Sequence, residues 1–183
     1  MDEILIGIGS NLPVEPGGNP LGSCTAAMER LEADGIEVLR RSSWYRSAPV
    51  PASDQPDFVN GVAAVATVLD PRALLARLHA LESALGRVRG ERNAARVIDL
   101  DLLAFGAECR DGVAGEEGEP ILPHPRLHER AFVLQPLREI APSWRHPRTG
   151  ETVDALIAAL PAGQRCERFS RGLTDTSDVI DFS

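Results

Sequence analysis

The sequence lacks several features that would otherwise settle its class. Three cysteines, Cys24, Cys109 and Cys166, are odd in number and far apart, and no C-x-x-C pair occurs. A disulfide-stapled scaffold and a zinc-finger spacing are therefore excluded, and free thiols in a reducing cytoplasm are the expected state. No apolar run approaches the ~18 residues that a membrane-spanning helix needs. The opening MDEILIGIGSNL carries two acids and only a short apolar run, unlike a signal peptide. Lysine is absent, so all 19 basic residues are arginines, set against 27 acids for a net charge of −8. Such an acidic chain does not attract nucleic acid over its whole surface. A local cationic pocket for a small anion stays open, and arginine suits bidentate phosphate contacts, although a GC-rich genome gives the same bias. Neither phosphate-loop pattern is present. GIGSN, residues 7–11, fails both G-x-x-x-x-G-K-[ST] and G-x-G-x-x-G, and reads as a glycine-rich turn of little functional weight by itself. There are no internal repeats.

A chain of 183 residues is expected to form one domain over 1–183. Residues 3–9 read as a first strand, followed by a Gly- and Pro-rich loop. Helix signals run from Pro20 to about Asp34 and stop at Gly35. Ile36–Ser47 reads as one strand, and three prolines make the next stretch a loop. Asp57–Leu69 reads as a further strand. The strongest helix signal follows, with Asp70 as N-cap, Pro71 in the first turn, a stripe of Leu74, Leu78, Leu81 and Leu85, and Gly86 as the stop. An arginine-rich loop leads to a strand over 96–106. Residues 107–120 form a polar connection with room for a short hairpin. Residues 121–142 alternate prolines with apolar residues and suggest a loop, a helical turn and irregular packed backbone. Residues 151–160 read as a short helix, and the tail over 165–183 has little periodicity and is expected to be partly ordered. The order of elements predicts an α+β sandwich, with a ferredoxin-like antiparallel sheet flanked by helices.

The stretch RVIDLDLLAFG, residues 96–106, poses a physical question. Strand alternation puts Asp99 and Asp101 on one face and Ile98, Leu100 and Leu102 on the other. Two carboxylates on one face repel each other, and burying them unpaired is costly. The stretch therefore asks for a metal, for arginines, or for an exposed face. Hard oxygen ligands suit Mg²⁺, which keeps waters and also engages substrate phosphates. Arg87, Arg89, Arg92 and Arg96 stand just upstream. An anion and a cation site side by side would make a nucleotide-phosphate site, and an arginine–aspartate network on an ordinary strand face fits the same spacing.

Taken together, IGIGSNL, SSWYRSAPV, DQPDFVN, RVIDLDLLAFG and LPHPRLHERAFVLQPLREIAP resemble, in order, the motifs of the 6-hydroxymethyl-7,8-dihydropterin pyrophosphokinase family. The resemblance runs from Gly7 to Pro142. It implies a ferredoxin-like enzyme of folate biosynthesis that transfers diphosphate from ATP to the hydroxymethyl group of a reduced pterin, releasing AMP. It implies that Asp99 and Asp101 bind Mg²⁺, with two ions expected, and that Arg87 and Arg96 act with them in catalysis. Asn60 would hydrogen-bond the pterin, Phe58 and Phe132 would stack on it, and Ser47, Ala48 and Val50 would read its edge. Glu82, Arg87, Arg89, Arg96, His124 and Arg130 would serve ATP. Ordinary structural roles are expected for His79, His128 and His146. ATP and a reduced pterin are the implied partners, with no nucleic acid and no membrane.

One segment departs from the family pattern. Gly90 stands where the family often has lysine, and Asn93-Ala94-Ala95 replaces a tryptophan–glycine–proline run. In the family that loop closes over ATP and excludes water. A divergent pterin- or nucleotide-binding paralogue with weak or no transfer is the competing expectation.

Overall fold

The computed structural model describes residues 3–14, 16–86, 95–112 and 118–169. Among the described residues the frame has eight strands, all paired antiparallel, and four α-helices. The first half runs β1 (Ile4–Ser10), α1 (Pro20–Ala33), β2 (Glu37–Arg41), β3 (Tyr45–Ser47), β4 (Phe58–Ala66), α2 (Pro71–Ala84) and β5 (Asp99–Phe105). The second half adds β6 (Arg110–Asp111), β7 (Ile121–Leu122), a 3₁₀ turn at Leu127–Glu129, α3 (Ala131–Ile140), α4 (Val153–Ala158) and β8 (Cys166–Arg168). The main sheet has the order β5-β1-β4-β3-β8, with β2 also pairing β4. Counting β2 and β3 as one interrupted strand gives the βαββαβ connectivity and strand order of a ferredoxin-like sheet, as expected.

Local chemistry sets the helix ends. Asn19 caps α1 by accepting from the Gly22 N–H at 2.8 Å, and Asp70 caps α2 by accepting from the Ala73 N–H at 2.8 Å. Proline fills the first position of both helices. Gly35 and Gly86 follow their C-termini at positive φ, where side chains are disfavoured.

Alternation along the strands divides the apolar residues between two cores. Ile6, Ile8, Val59, Leu100 and Leu102 face α1 and α2, meeting Leu31, Leu74 and Leu78. On the opposite face Leu5, Val62 and Leu103 meet Val133, Leu134 and Leu137 of α3, and Val153 and Leu156 of α4. Each fully buried aliphatic side chain contributes on the order of 1.5–3 kcal/mol relative to exposure.

Three expectations need correction. The single strand over 36–47 is two strands, because Ser42 replaces a ladder carbonyl with its hydroxyl. The Ser42 N–H donates to the Val62 carbonyl at 2.9 Å, while Ser42 Oγ accepts from the Val62 N–H at 3.1 Å. The strand expected over 57–69 is shorter, Phe58–Ala66. The irregular backbone expected within 121–142 contains a regular helix, α3, with Pro136 inside it. An interior proline costs about 3 kcal/mol, and burial of Val133, Leu134 and Leu137 on the sheet outweighs that loss. The tail forms β8, whose ladder joins Cys166 to Ser47 and Arg168 to Tyr45. The hairpin expected over 107–120 pairs Arg110–Asp111 with Ile121–Leu122. The arginine-rich loop at 87–94 and the tail beyond Phe169 lie outside the described residues.

Gly61 shows how tightly this frame closes. A Cβ there would stand 2.8 Å from the Trp44 ring, which packs against the core on the α1 and α2 face. Gly61→Ala is expected to destabilise the fold by about 1–3 kcal/mol through overpacking, measured as a lower denaturant midpoint.

Candidate active site

The sheet face opposite α1 and α2 changes character along its length. Where α3 and α4 cover it, it carries Leu5, Val62 and Leu103. Beyond the start of α3 the same alternation presents Gly7 and Gly9 from β1, Asn60 from β4, and Asp99 and Asp101 from β5. The register sets Gly9 between Asn60 and Asp99, and places Gly7 beside Asp101. Polar groups thus occur where the helical layer ends. GIGSN is therefore the end of a strand rather than a turn, and its glycines make a flat floor. A Cβ on Gly9 would come within 3.1 Å of Asn60 Oδ1.

One cleft stands over this floor, with about 830 Å³ of empty volume. Phe58, at the start of β4, and Phe132, in the first turn of α3, both line it, with Ser47, Ala48, Val50 and Asn60. All six residues expected on the pterin side are thus brought together. Asn60 Nδ2 donates to Ser47 Oγ at 2.9 Å, which fixes the amide in a buried setting. The aromatic and aliphatic part of this lining suits a flat heterocycle, and the charged part, Arg96, Asp99, Asp101, Arg126 and Arg130, lies in the same cleft.

A second, more polar cleft of about 740 Å³ adjoins it, lined by Glu82, Arg96, Asp99, Asp101 and His124 among others. Arg96, Asp99 and Asp101 line both clefts. Of the remaining residues expected to serve ATP, Arg130 lines the first cleft. Arg87 and Arg89 lie outside the described residues.

Arginines meet both aspartates. Arg96 Nη1 donates to Asp99 Oδ2 at 2.6 Å, and Arg130 Nη1 donates to Asp101 Oδ2 at 3.4 Å. The Arg130 guanidinium also lies 5.5 Å from the centre of the Phe132 ring. Burial lowers the pKa of Arg130, against the opposing pull of Asp101. Burial, reinforced by Arg130, pushes His124 down to about 4. Its imidazole is therefore neutral near pH 7. Nδ1 accepts the Arg126 N–H at 3.2 Å, which assigns the proton to Nε2.

Two side chains hold this machinery from behind. Glu82, 1% exposed, accepts the outward-facing Leu100 N–H at 2.7 Å, so it fixes the edge strand between the two aspartates. Asn11, 2% exposed, accepts the Arg96 N–H at 2.7 Å and donates to Gln55 and Pro56. The Asn11 and Leu12 N–H groups return to the Arg96 carbonyl at 3.1 and 3.2 Å.

Among the described residues no group of three or more His, Cys, Asp or Glu could enclose a metal ion. The donor set is two carboxylates on one strand face beside a polar cleft. That fits a hydrated Mg²⁺ whose remaining ligands are waters and substrate phosphates. It does not fit a closed structural site, which needs four protein ligands.

The sequence matches the family model described as 7,8-dihydro-6-hydroxymethylpterin-pyrophosphokinase over residues 5–142. The chain belongs to that family. A 2-amino-4-hydroxy-6-hydroxymethyldihydropteridine pyrophosphokinase of Methylorubrum extorquens is 41% identical over 165 residues, covering 89% of this chain and 97% of the relative. A Synechocystis sp. protein of the same name is 40% identical over 154 residues, covering 84% and 73% respectively. The wild-type Plasmodium falciparum HPPK-DHPS crystal structure shares the fold, with a TM-score of 0.64 at 13% identity. That likeness spans 85% of this chain and 40% of the solved one.

Within this pyrophosphokinase family member, Asn11, Gly7, Gly9 and Arg126 line or support the clefts without having been singled out from sequence. Asn11 follows β1 at the start of a loop, where asparagine is commonplace. The clue to the glycines was their period of two within a strand. No helix among the described residues is long and apolar enough to cross a membrane.

Removing Glu82 leaves the Leu100 N–H without its carboxylate. Glu82→Ala is expected to cost about 1–3 kcal/mol, while Glu82→Gln, which retains an acceptor, should recover most of it. Chemical denaturation of the two variants checks the difference.

Proposed function

We propose that this chain transfers diphosphate from ATP to the hydroxymethyl group of 6-hydroxymethyl-7,8-dihydropterin, giving AMP and the pterin diphosphate, as a step of folate biosynthesis. The observation that carries the reading is the junction. Arg96, Asp99 and Asp101 line both an aromatic-walled cleft and a polar one, so acceptor and donor can meet over a single pair of carboxylates. In this reading Phe58 and Phe132 hold the pterin ring between them, Asn60 hydrogen-bonds it, and the backbone around Ser47, Ala48 and Val50 reads its edge. The triphosphate lies in the second cleft, where His124 offers an Nε2–H and Arg96 offers charge, and Arg130 adds charge from the first cleft. Glu82 acts on that cleft by holding β5. Arg87 and Arg89 are assigned to ATP by the family resemblance alone. The chain is taken as one domain over 1–183, acting on small molecules in the cytoplasm, and its free cysteines accord with a reducing setting.

Asp99 and Asp101 are the residues that would hold Mg²⁺, two ions in the proposed active complex. When bound, the metal neutralises triphosphate charge and favours ionisation of the attacking hydroxyl. The chain's own part is placement. Arg96 and Arg130 orient both carboxylates through their ion pairs. When nucleotide enters, its phosphates offer these guanidiniums a new partner and leave the aspartates to the metal. Transfer then depends on alignment and charge stabilisation, the usual sources of catalysis in phosphoryl transfer.

Pterin-dependent formation of AMP from ATP and Mg²⁺ tests this reading, and no AMP above background from folded protein contradicts it. Tight ligand binding without turnover would instead mark a divergent paralogue. Asp99→Ala and Asp101→Ala are each expected to lower turnover at least ~100-fold. Their metal-free melting should change little, because partly exposed ion pairs contribute about 0–1 kcal/mol. Near-normal turnover in both variants would remove the metal assignment.

A further inference from the structure

The family match ends at Pro142, yet three consecutive residues well beyond it hold the proposed pterin cleft from three directions. Gln164 Oε1 accepts the Ala131 N–H at 2.8 Å, and its Nε2 donates to the Glu129 carbonyl at 2.7 Å. One amide thus grips the backbone on both sides of Arg130, directly before Phe132. Arg130 is the N-cap residue of α3 and makes no side-chain cap there. Gln164 supplies an acceptor for one of the first-turn N–H groups that have no partner within the helix. The next residue, Arg165, sets one guanidinium nitrogen 2.7 and 2.6 Å from the two carboxylate oxygens of Asp57, the neighbour of Phe58. Cys166 then pairs with Ser47 in the sheet, and Ser47 holds Asn60.

These contacts reach both aromatic walls and the polar edge of the cleft. The walls come from separate elements, β4 and α3, so their separation depends on whatever ties those elements together at this end. We propose that Gln164 is a positioning residue for the pterin cleft, acting with Arg165 as a strap that fixes the spacing of Phe58 and Phe132. The proposal rests on the pterin pyrophosphokinase reading above. Gln164 lines neither cleft. Its effect passes through the start of α3, so it should fall most on the pterin, which meets Phe132 directly, and least on ATP, which meets Arg130 only through a side chain anchored separately on Asp101.

The test compares Gln164→Ala, Gln164→Glu and Thr152→Ala with the unaltered protein. Thr152 caps α4 through the Ala155 N–H, away from the cleft, and its variant controls for a general loss of stability. Gln164→Ala is expected to raise KM for the pterin roughly five- to tenfold while KM for ATP stays within about twofold. Gln164→Glu keeps the acceptor for Ala131 and loses the donor to Glu129, so an intermediate pterin KM is expected, and it carries the comparison if Gln164→Ala does not fold. Thr152→Ala should leave the pterin KM unchanged. An unaltered pterin KM in the Gln164 variants, an equal rise for ATP, or the same rise in Thr152→Ala would overturn the proposal. If the unaltered protein forms no pterin-dependent AMP, the functional reading fails instead. The strap is then judged by amide exchange at Ala131 and Phe132, where faster exchange in Gln164→Ala supports it and unchanged exchange overturns it.

Discussion

The alternation of β5 constrains everything else in this molecule. Leu100 and Leu102 must face α1 and α2 to close the larger core. That requirement turns Asp99 and Asp101 to the other side, and it keeps them there because a one-residue slip would bury both carboxylates and expose both leucines. The second helical layer answers the same constraint. It covers the face as far as Leu103 and stops where the carboxylates begin. The site is thus the portion of the sheet face that the fold leaves uncovered, floored by Gly7 and Gly9 so that ligands can lie close to the backbone.

Charge follows from this placement. Two carboxylates on adjacent same-face positions repel each other unless cations stand near. Arg96 and Arg130 supply those cations from opposite directions, one from the segment entering β5 and one from the turn entering α3. Each arginine is itself anchored through its backbone. Asn11 holds the peptide of Arg96, and Gln164 holds the peptides around Arg130. A site that rests on fixed dipoles and charges needs little reorganisation when charge develops on a substrate.

Much of this was legible in the residues, and the exceptions share a cause. Period two gave β5 its faces, Pro20 and Gly35 marked the limits of α1, and the Asp70 cap and leucine spacing marked α2. The aspartate pair was visible because its cost was visible. Sequence left metal, arginines and exposure as three answers, and the structure shows arginines against both aspartates. The helix α3 was hidden by Pro136, because local propensity gives no sign of the sheet face that α3 buries. The break at Ser42 was hidden for a related reason, since its hydroxyl replaces a carbonyl only when Val62 lies opposite. Asn11 and Gln164 could not have been weighed from sequence, because their partners are distant in the chain. The family resemblance supplied the aromatic pair and the nucleotide side, which spacing alone did not.

The most direct test of the central claim is a crystal structure with a non-transferable ATP analogue, the reduced pterin and Mn²⁺ in place of Mg²⁺. The account predicts anomalous density against Asp99 and Asp101, with the pterin between Phe58 and Phe132, the triphosphate on the His124 side, and Arg96 and Arg130 turned toward phosphate. Manganese elsewhere, with both arginine–aspartate pairs intact beneath bound nucleotide and pterin, would contradict it.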